Sequence, residues 1–200
     1  MSMEFAEYKF RKATGQHTNK KDYFEKLQKE VAVCPYCGAK TVLRPAVEIY
    51  RNSYNTEGKF LYVCSNYPEW NAYSRANKIE TKNGKIVYIP VSTIANAPLR
   101  ALRSEVHYYI SLCVKFKIMR TDQDAYDWLR DRMNLTDAQR HIGRFYEANC
   151  HMAIEHLLML LQLNRSKIGN KKLKAFRSTT VYVKQKRLDQ LFNNQELVEN

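Results

Sequence analysis

The sequence predicts an α+β fold, with a small ribbon-like β part followed by a domain of three or four helices. β-Branched and aromatic runs fill residues 31–92 around a C-x2-C turn, a pattern typical of a small β ribbon. From residue 93 to 164 the apolar residues recur at helical spacing instead. Basic extensions at residues 1–30, which we interpret as helix, loop, helix, and at residues 165–200 complete a predicted chain of four parts.

The strands of the β part are predicted from short runs between turn residues. Three runs, Thr41 to Leu43, Val47 to Tyr50 and Lys59 to Cys64, have strand composition. Two more strands flank Asn83-Gly84, the dipeptide that favours a type I′ hairpin turn. The sequence therefore predicts a ribbon that ends in a β-hairpin.

The helices are predicted from caps and apolar stripes. Asn96 is placed to cap the first helix, and a second helix follows Thr121. Residues 136–139 have the spacing of a capping box, which predicts a third segment near residues 141–143. A longer helix is expected from about Tyr146 to Leu163.

Three cysteines stand where a zinc ribbon needs four. Cys34 and Cys37 form one tight turn that supplies two thiolates, and Gly38 after them is expected at positive φ. Cys64 opens the second turn, but Trp70 occupies the place of its partner thiolate. We therefore predict a degenerate zinc ribbon, packed against or linked to the helical domain, with Zn held by the three cysteines.

The sequence leaves the fourth zinc ligand open. Glu69, a distant histidine such as His17, or water could complete the site. In the alternative without metal, Trp70 fills the vacated space as an apolar plug and the three cysteines are buried small hydrophobic residues.

The charge balance favours a polyanionic partner. The 200 residues contain 33 Lys and Arg against 20 Asp and Glu, a formal net charge of +13. No run approaches the roughly 20 apolar residues that a membrane-spanning helix needs, and the N-terminus lacks the plan of a secretory signal. Five cysteines, an odd number, suit metal binding in a reducing compartment. We expect a cytoplasmic protein that does not bind membranes.

Aromatic and cationic side chains are interleaved in the ribbon. Rings that stack on bases beside cations that follow phosphates are typical of a platform for single-stranded nucleic acid. Strand alternation places about half of the rings in the core, so any single ring is more often a core residue. The residues predicted to bind nucleic acid or a partner here are Arg51, Tyr54, Lys59, Tyr67, Trp70 and Arg75. Among their rings, Tyr54, Tyr67 and Trp70 are expected to be exposed.

The C-terminal extension carries a second basic segment. No acidic residue occurs between Asn164 and Asp189, while lysines and arginines accumulate there. Lys171, Lys172, Lys174 and Arg177 are therefore further candidates for polyanion contact. An acidic protein surface fits this segment equally well.

No catalytic residue is assigned. His107 or His141 could act as a general base, but no acidic cluster accompanies them, and a structural role for each histidine is favoured. Cys150 and His151 lie about 100° apart around one helix and cannot easily share a proton. We expect a protein that is not an enzyme, with a metal-assisted nuclease as a distant alternative.

Two resemblances extend this interpretation. The runs 34–38, 58–60 and 64–68 resemble the C-terminal zinc ribbons of type IA topoisomerases, which grip single-stranded DNA. Residues 31–160 resemble a wider family of phage and bacterial zinc-finger-containing domains of unknown function. The motifs shared with that family include Leu99-Arg100, His107, Ala125 to Leu129, His141 to Phe145 and Cys150, whereas Trp70 and residues 74–77 depart from it. The resemblance implies a zinc ribbon and an origin in a phage or mobile element.

Together these observations predict a nucleic-acid-binding protein that engages single strands through ribbon aromatics and basic residues. The alternative, from a different class, is an adaptor or inhibitor that binds an acidic or nucleic-acid-binding surface of a host protein.

Overall fold

The computed structural model describes residues 27–50, 56–81, 83–136, 139–164 and 168. The described residues form two compact units, which divide at residue 101: residues 139–144 belong with the first unit, and the described residues from 102 to 136 and from 145 onward form the second. The predicted N-terminal and C-terminal extensions lie almost wholly outside the described residues, so the four-part division stays a prediction. The α+β fold class is confirmed.

The first unit is built on one antiparallel sheet with the strand order β1-β2-β3-β4. The strands are β1 (Thr41–Pro45), β2 (Phe60–Cys64), β3 (Tyr73–Glu80) and β4 (Ile86–Pro90). Alternation along β2 sends Leu61 and Val63 into a core with Tyr73 on one face. Cys64 points to the other face, where it packs with Val31 in a second small core.

The predicted strand from Val47 to Tyr50 is wrong. A short helix, α1 (Ala46–Ile49), occupies this place. Pro45 ends β1 because it has no N–H to donate to a neighbouring strand. The chain then turns, and the Tyr50 N–H donates to Ala46 O at 2.9 Å, which closes the helical turn. Ala46 is buried against Leu61 and the other apolar residues of that sheet face.

The β-hairpin is confirmed at Asn83-Gly84, but its turn is wider than the predicted type I′ turn. The Thr81 N–H donates to Lys85 O at 2.8 Å, so the loop between these residues is three residues long. Gly84 has a φ of +71°, whereas Asn83 is not among the described residues with positive φ. A three-residue loop that ends in a left-handed residue, as Gly84 is here, is the next most common way to connect two antiparallel strands.

The predicted helix starts are largely confirmed. The helices after the sheet are α2 (Ala97–Lys115), α3 (Asp122–Arg132) and α4 (Glu147–Leu163). Asn96 caps α2, since its Oδ1 accepts from the Leu99 N–H at 3.0 Å. Thr121 caps α3 in a capping box with Asp124. None of the helices in the described part of the chain is long and apolar enough to cross a membrane.

The segment near residues 141–143 is not the start of a helix. Ile142–Arg144 form a single 3-10 turn, and two residues of the predicted capping box, 137 and 138, lie outside the described residues. A Cβ on Gly143 would lie 3.0 Å from both His141 Nδ1 and Ser92 Cβ. The Gly143 N–H also donates to His141 Nδ1 at 3.1 Å. His141 therefore shapes a tight turn in the first unit.

The second unit has its own apolar core, to which α2, α3 and α4 all contribute. Val106, Leu129 and Leu157 are buried in it, together with Cys113 and Cys150. Burial raises the pKa of Cys113 to about 12 and that of Cys150 to about 11, so both are neutral thiols at physiological pH. Both cysteines are therefore core residues of this unit.

The capping box of α3 generates a stability prediction. Thr121→Ala should lower the free energy of unfolding by about 1 kcal/mol, because the Asp124 N–H loses its acceptor. Ser104→Ala, at an exposed position inside α2, serves as the matched control and should change it by less than about 0.5 kcal/mol. Urea denaturation followed by circular dichroism measures both, and equal effects would contradict the capping assignment.

Candidate metal centre

The first cysteine turn, which we call knuckle 1, is formed by residues 34–39. The Gly38 N–H donates to Cys34 O at 2.9 Å, and the Cys34 N–H donates to Ala39 O at 2.8 Å. Gly38 has a φ of +72°, as predicted for the residue after the second thiol. These bonds place Cys34 and Cys37 on the same side of a closed turn.

The second turn, knuckle 2, follows β2 at residues 64–67. The Tyr67 N–H donates to Cys64 O at 3.0 Å and closes it. The Ser65 N–H donates to Lys40 O at 3.0 Å, which links knuckle 2 to the chain that leaves knuckle 1. This backbone bond helps to bring the two knuckles face to face.

The three sulfur atoms converge between the knuckles. The Sγ atoms of Cys34, Cys37 and Cys64 all lie within 4.8 Å of one another, and those of Cys37 and Cys64 are 3.4 Å apart. None of the three cysteines forms a disulfide, whose S–S bond would be about 2.05 Å long. Zinc–sulfur bonds of about 2.3 Å at tetrahedral angles give sulfur separations of about 3.8 Å. The sulfur cluster fits zinc, with the three cysteines as the residues that hold it.

Backbone N–H groups point at the sulfurs, as expected for a thiolate site. The Ala39 N–H is the main cause that lowers the pKa of the Cys37 thiol below its ordinary value. Burial raises the pKa of Cys64 to about 12, although the Asn66 N–H opposes that effect. Two neighbouring thiols raise it further, because adjacent thiolates repel one another. A bound cation is what allows three such thiolates to coexist.

No fourth ligand joins the cluster from the described residues. Glu69 is exposed and is not a member of the sulfur cluster, and His17 lies outside the described residues. The Asn66 side-chain amide lies 3.8 Å from Cys37 Sγ as a donor, in the position of an outer-shell group. The fourth position is therefore open to a ligand from elsewhere, such as water.

The Trp70 ring is parallel to an aromatic ring of knuckle 1 and offset from it. It is stacked on that of Tyr36, with the centroids 6.4 Å apart and the planes 12° from parallel. Trp70 remains 38% exposed, so it is not a buried plug. The Tyr36 hydroxyl accepts from the Asn96 N–H at 3.1 Å, which fixes the ring beneath the indole.

The other predicted binding residues of the ribbon differ in how far they are exposed to solvent. Lys59 and Arg75 are exposed, as their assigned roles need. Tyr67 is half-buried, because it packs against the apolar sheet face that contains Leu61 and Val63. The remaining candidates lie outside the described residues: Arg51, Tyr54, Lys171, Lys172, Lys174 and Arg177.

Two residues beside the site were not assigned a role from the sequence. Tyr36 lies between the cysteines of knuckle 1, and its only signal was an aromatic residue inside a C-x2-C turn. Arg100, in the first turn of α2, donates to Asn71 O at 3.0 Å and to Asn71 Oδ1 at 2.9 Å. A contact between positions 29 residues apart cannot be inferred from the spacing of residues.

The sulfur cluster predicts the metal content of the protein. We expect about one zinc ion per chain in purified wild-type protein, and its loss in Cys64→Ala, since two thiolates make an incomplete site. Cys113→Ala is the matched control because Cys113 is equally buried but lies in the other unit. Metal analysis by plasma mass spectrometry decides: zinc retained in Cys64→Ala, or lost in the control alone, would contradict the assignment.

Comparison with known proteins gives one finding. The family model for the zinc-finger-containing domain DUF3268 matches residues 30–159, which include all three cysteines of the sulfur cluster. No curated protein and no solved structure matches the chain significantly, so the resemblance to topoisomerase ribbons stays a prediction. The match covers more than half of the chain. Within the matched residues, Cys34, Cys37 and Cys64 are the ligands that would hold zinc. The chain belongs to the zinc-finger-containing domain family DUF3268.

Proposed function

We propose that this protein binds single-stranded nucleic acid at the metal end of its sheet. In this proposal an unpaired base stacks on Trp70 while cationic side chains contact the neighbouring phosphates. An origin in a phage or mobile element, a cytoplasmic location and the absence of enzymatic activity stay predictions.

The observation that carries the proposal is the stacked pair of Trp70 and Tyr36. The indole is parallel to, and offset from, a ring that knuckle 1 and the Asn96 N–H hold in place. Since Trp70 is 38% exposed, part of its surface is available to a ligand. A rigid aromatic surface of this kind stacks on any base, because every base has a π-face. Tyr36 lies between two of the zinc ligands, so a bound zinc ion would also hold this aromatic surface in place.

The charge of the chain supports the same proposal. The formal net charge is +13, and exposed cations in the ribbon include Lys40, Lys59 and Arg75. Cations that neutralise phosphates release condensed counterions, which makes binding strong at low salt and weak at high salt. A stacking surface together with cations is the combination that single-strand binding requires.

The stacked pair predicts the effect of one substitution. Trp70→Ala should weaken binding of a labelled oligothymidylate by about 1–3 kcal/mol, the cost of one lost base–ring contact. Tyr146→Ala is the matched control because Tyr146 is also an exposed aromatic residue but lies in the other unit. Fluorescence anisotropy measures both variants, with zinc content as the check that the ribbon remains folded.

The salt dependence separates the alternatives. Binding to single strands should fall with salt by about 0.7 logarithmic units per contacted phosphate for each tenfold rise in salt. If the wild-type protein binds no oligonucleotide at low salt, or if Trp70→Ala binds as tightly as the control, the proposal is wrong. One stable protein partner that depends on Trp70 would then favour the adaptor or inhibitor.

A further inference from the structure

Arg100 presents a pair of N–H groups that no described residue uses. Its Nη1 donates to Asn71 O at 3.0 Å and to Ala95 O at 2.6 Å, and its Nη2 donates to Asn71 Oδ1 at 2.9 Å. These bonds occupy three of the five guanidinium N–H groups. The Nε–H and the second Nη2–H remain. They form the side edge of the guanidinium, which we call the free fork.

The free fork is held rigidly in place. The Arg100 guanidinium carbon lies 3.7 Å from the centroid of the Tyr73 ring, and Tyr73 is buried in the sheet. At the other end of the guanidinium, the backbone and side-chain oxygens of Asn71 both accept hydrogen bonds from it. Little side-chain entropy is left to lose, so a ligand that matches the fork would be bound with little ordering cost.

A second arginine lies on the same sheet face. Arg75 follows Tyr73 by two residues on β3, so both side chains leave the same side of the strand. Arg75 is exposed, and no carboxylate of the described residues forms an ion pair with Arg75 or Arg100. Burial and Tyr73 raise the pKa of the Tyr50 hydroxyl, and the charges of Arg100 and Arg75 both oppose that rise, so both cations act on the same hydroxyl. Two guanidinium groups without an ion-pair partner among the described residues therefore lie on the same side of the sheet.

The free fork is tied to the same segments that hold the stacked pair. Arg100 donates to Asn71, which follows Trp70 in the chain. It also donates to Ala95 O, and the next residue donates its N–H to the Tyr36 hydroxyl. The phosphate next to a base stacked on the indole is therefore expected near Arg100. Planar guanidinium forks bind phosphate oxygens in pairs, whereas a lysine ammonium acts as a point charge.

We propose that the free fork of Arg100, with Arg75 beside it, binds a backbone phosphate of the strand whose base stacks on Trp70. This inference rests on the proposed function and adds to it the position of the first phosphate contact. An acidic peptide is the other ligand that two guanidinium groups would fit, and it is an outcome of the test.

The test uses full-length protein, a labelled oligothymidylate and the variants Arg75→Gln and Arg100→Lys. Arg75→Gln should bind about tenfold more weakly, as expected for a lost hydrogen bond to a charged group. Its salt slope should fall by about 1. Arg100→Lys should lose about as much affinity although the net charge is unchanged, because an ammonium cannot replace the fork. Lys85→Gln, an exposed cation beside the hairpin turn, is the matched control and should bind within about twofold of the wild type.

A modified ligand tests the phosphate contact itself. An oligothymidylate with alternating uncharged methylphosphonates should bind the wild type more weakly and should reduce the difference between the wild type and Arg75→Gln. Zinc content and circular dichroism check Arg100→Lys, and if that variant does not fold, the exposed Arg75→Gln decides alone.

The outcomes separate this inference from the proposed function. If Trp70→Ala binds weakly but Arg75→Gln binds like Lys85→Gln, the phosphate site is wrong and the proposed function stands. If the wild type binds no oligonucleotide, both are wrong. A poly-glutamate peptide that needs both arginines, beside oligonucleotide binding that needs neither, would also overturn the inference.

Discussion

The convergence of three sulfur atoms between two backbone turns is the constraint on which the metal end of the protein depends. Cys34 and Cys37 arrive from knuckle 1 and Cys64 from the end of β2, and all three Sγ atoms lie within 4.8 Å of one another. Three thiolates at this distance repel one another, so all three lose their protons together only beside a cation. Zinc would supply that charge and join the two knuckles, of which knuckle 1 carries Tyr36.

The replacement of the expected fourth cysteine changes what the ribbon presents. A ribbon with four thiolates closes its metal site completely, whereas this chain keeps three and places an indole against knuckle 1. Asn71, directly after Trp70, accepts hydrogen bonds from Arg100, whose guanidinium also lies over the Tyr73 ring. Where the fourth thiolate is expected, the chain thus has an exposed ring, and the next residue binds a guanidinium, which is the basis of the proposed base and phosphate contacts.

Local signals predicted most of the architecture, because the elements with the strongest local chemistry formed where expected. The cap at Asn96 and the turn at Gly38 each satisfy a backbone requirement within a few residues. The strand predicted after Pro45 was wrong. β-Branched residues favour packing on an apolar surface, and the short helix α1 provides that packing as well as a strand would. The hydrogen bonds from Arg100 to Asn71 could not be predicted, because they form only when the sheet and α2 are in place.

The zinc coordination shell is the measurement that tests this account most directly. X-ray absorption at the zinc edge of the purified protein should show three sulfur atoms at about 2.3 Å and one nitrogen or oxygen atom at about 2.0–2.1 Å. The other two cysteines, Cys113 and Cys150, are buried in the helical unit and do not belong to the sulfur cluster. A shell of four sulfur atoms, or a shell without sulfur, would contradict the account.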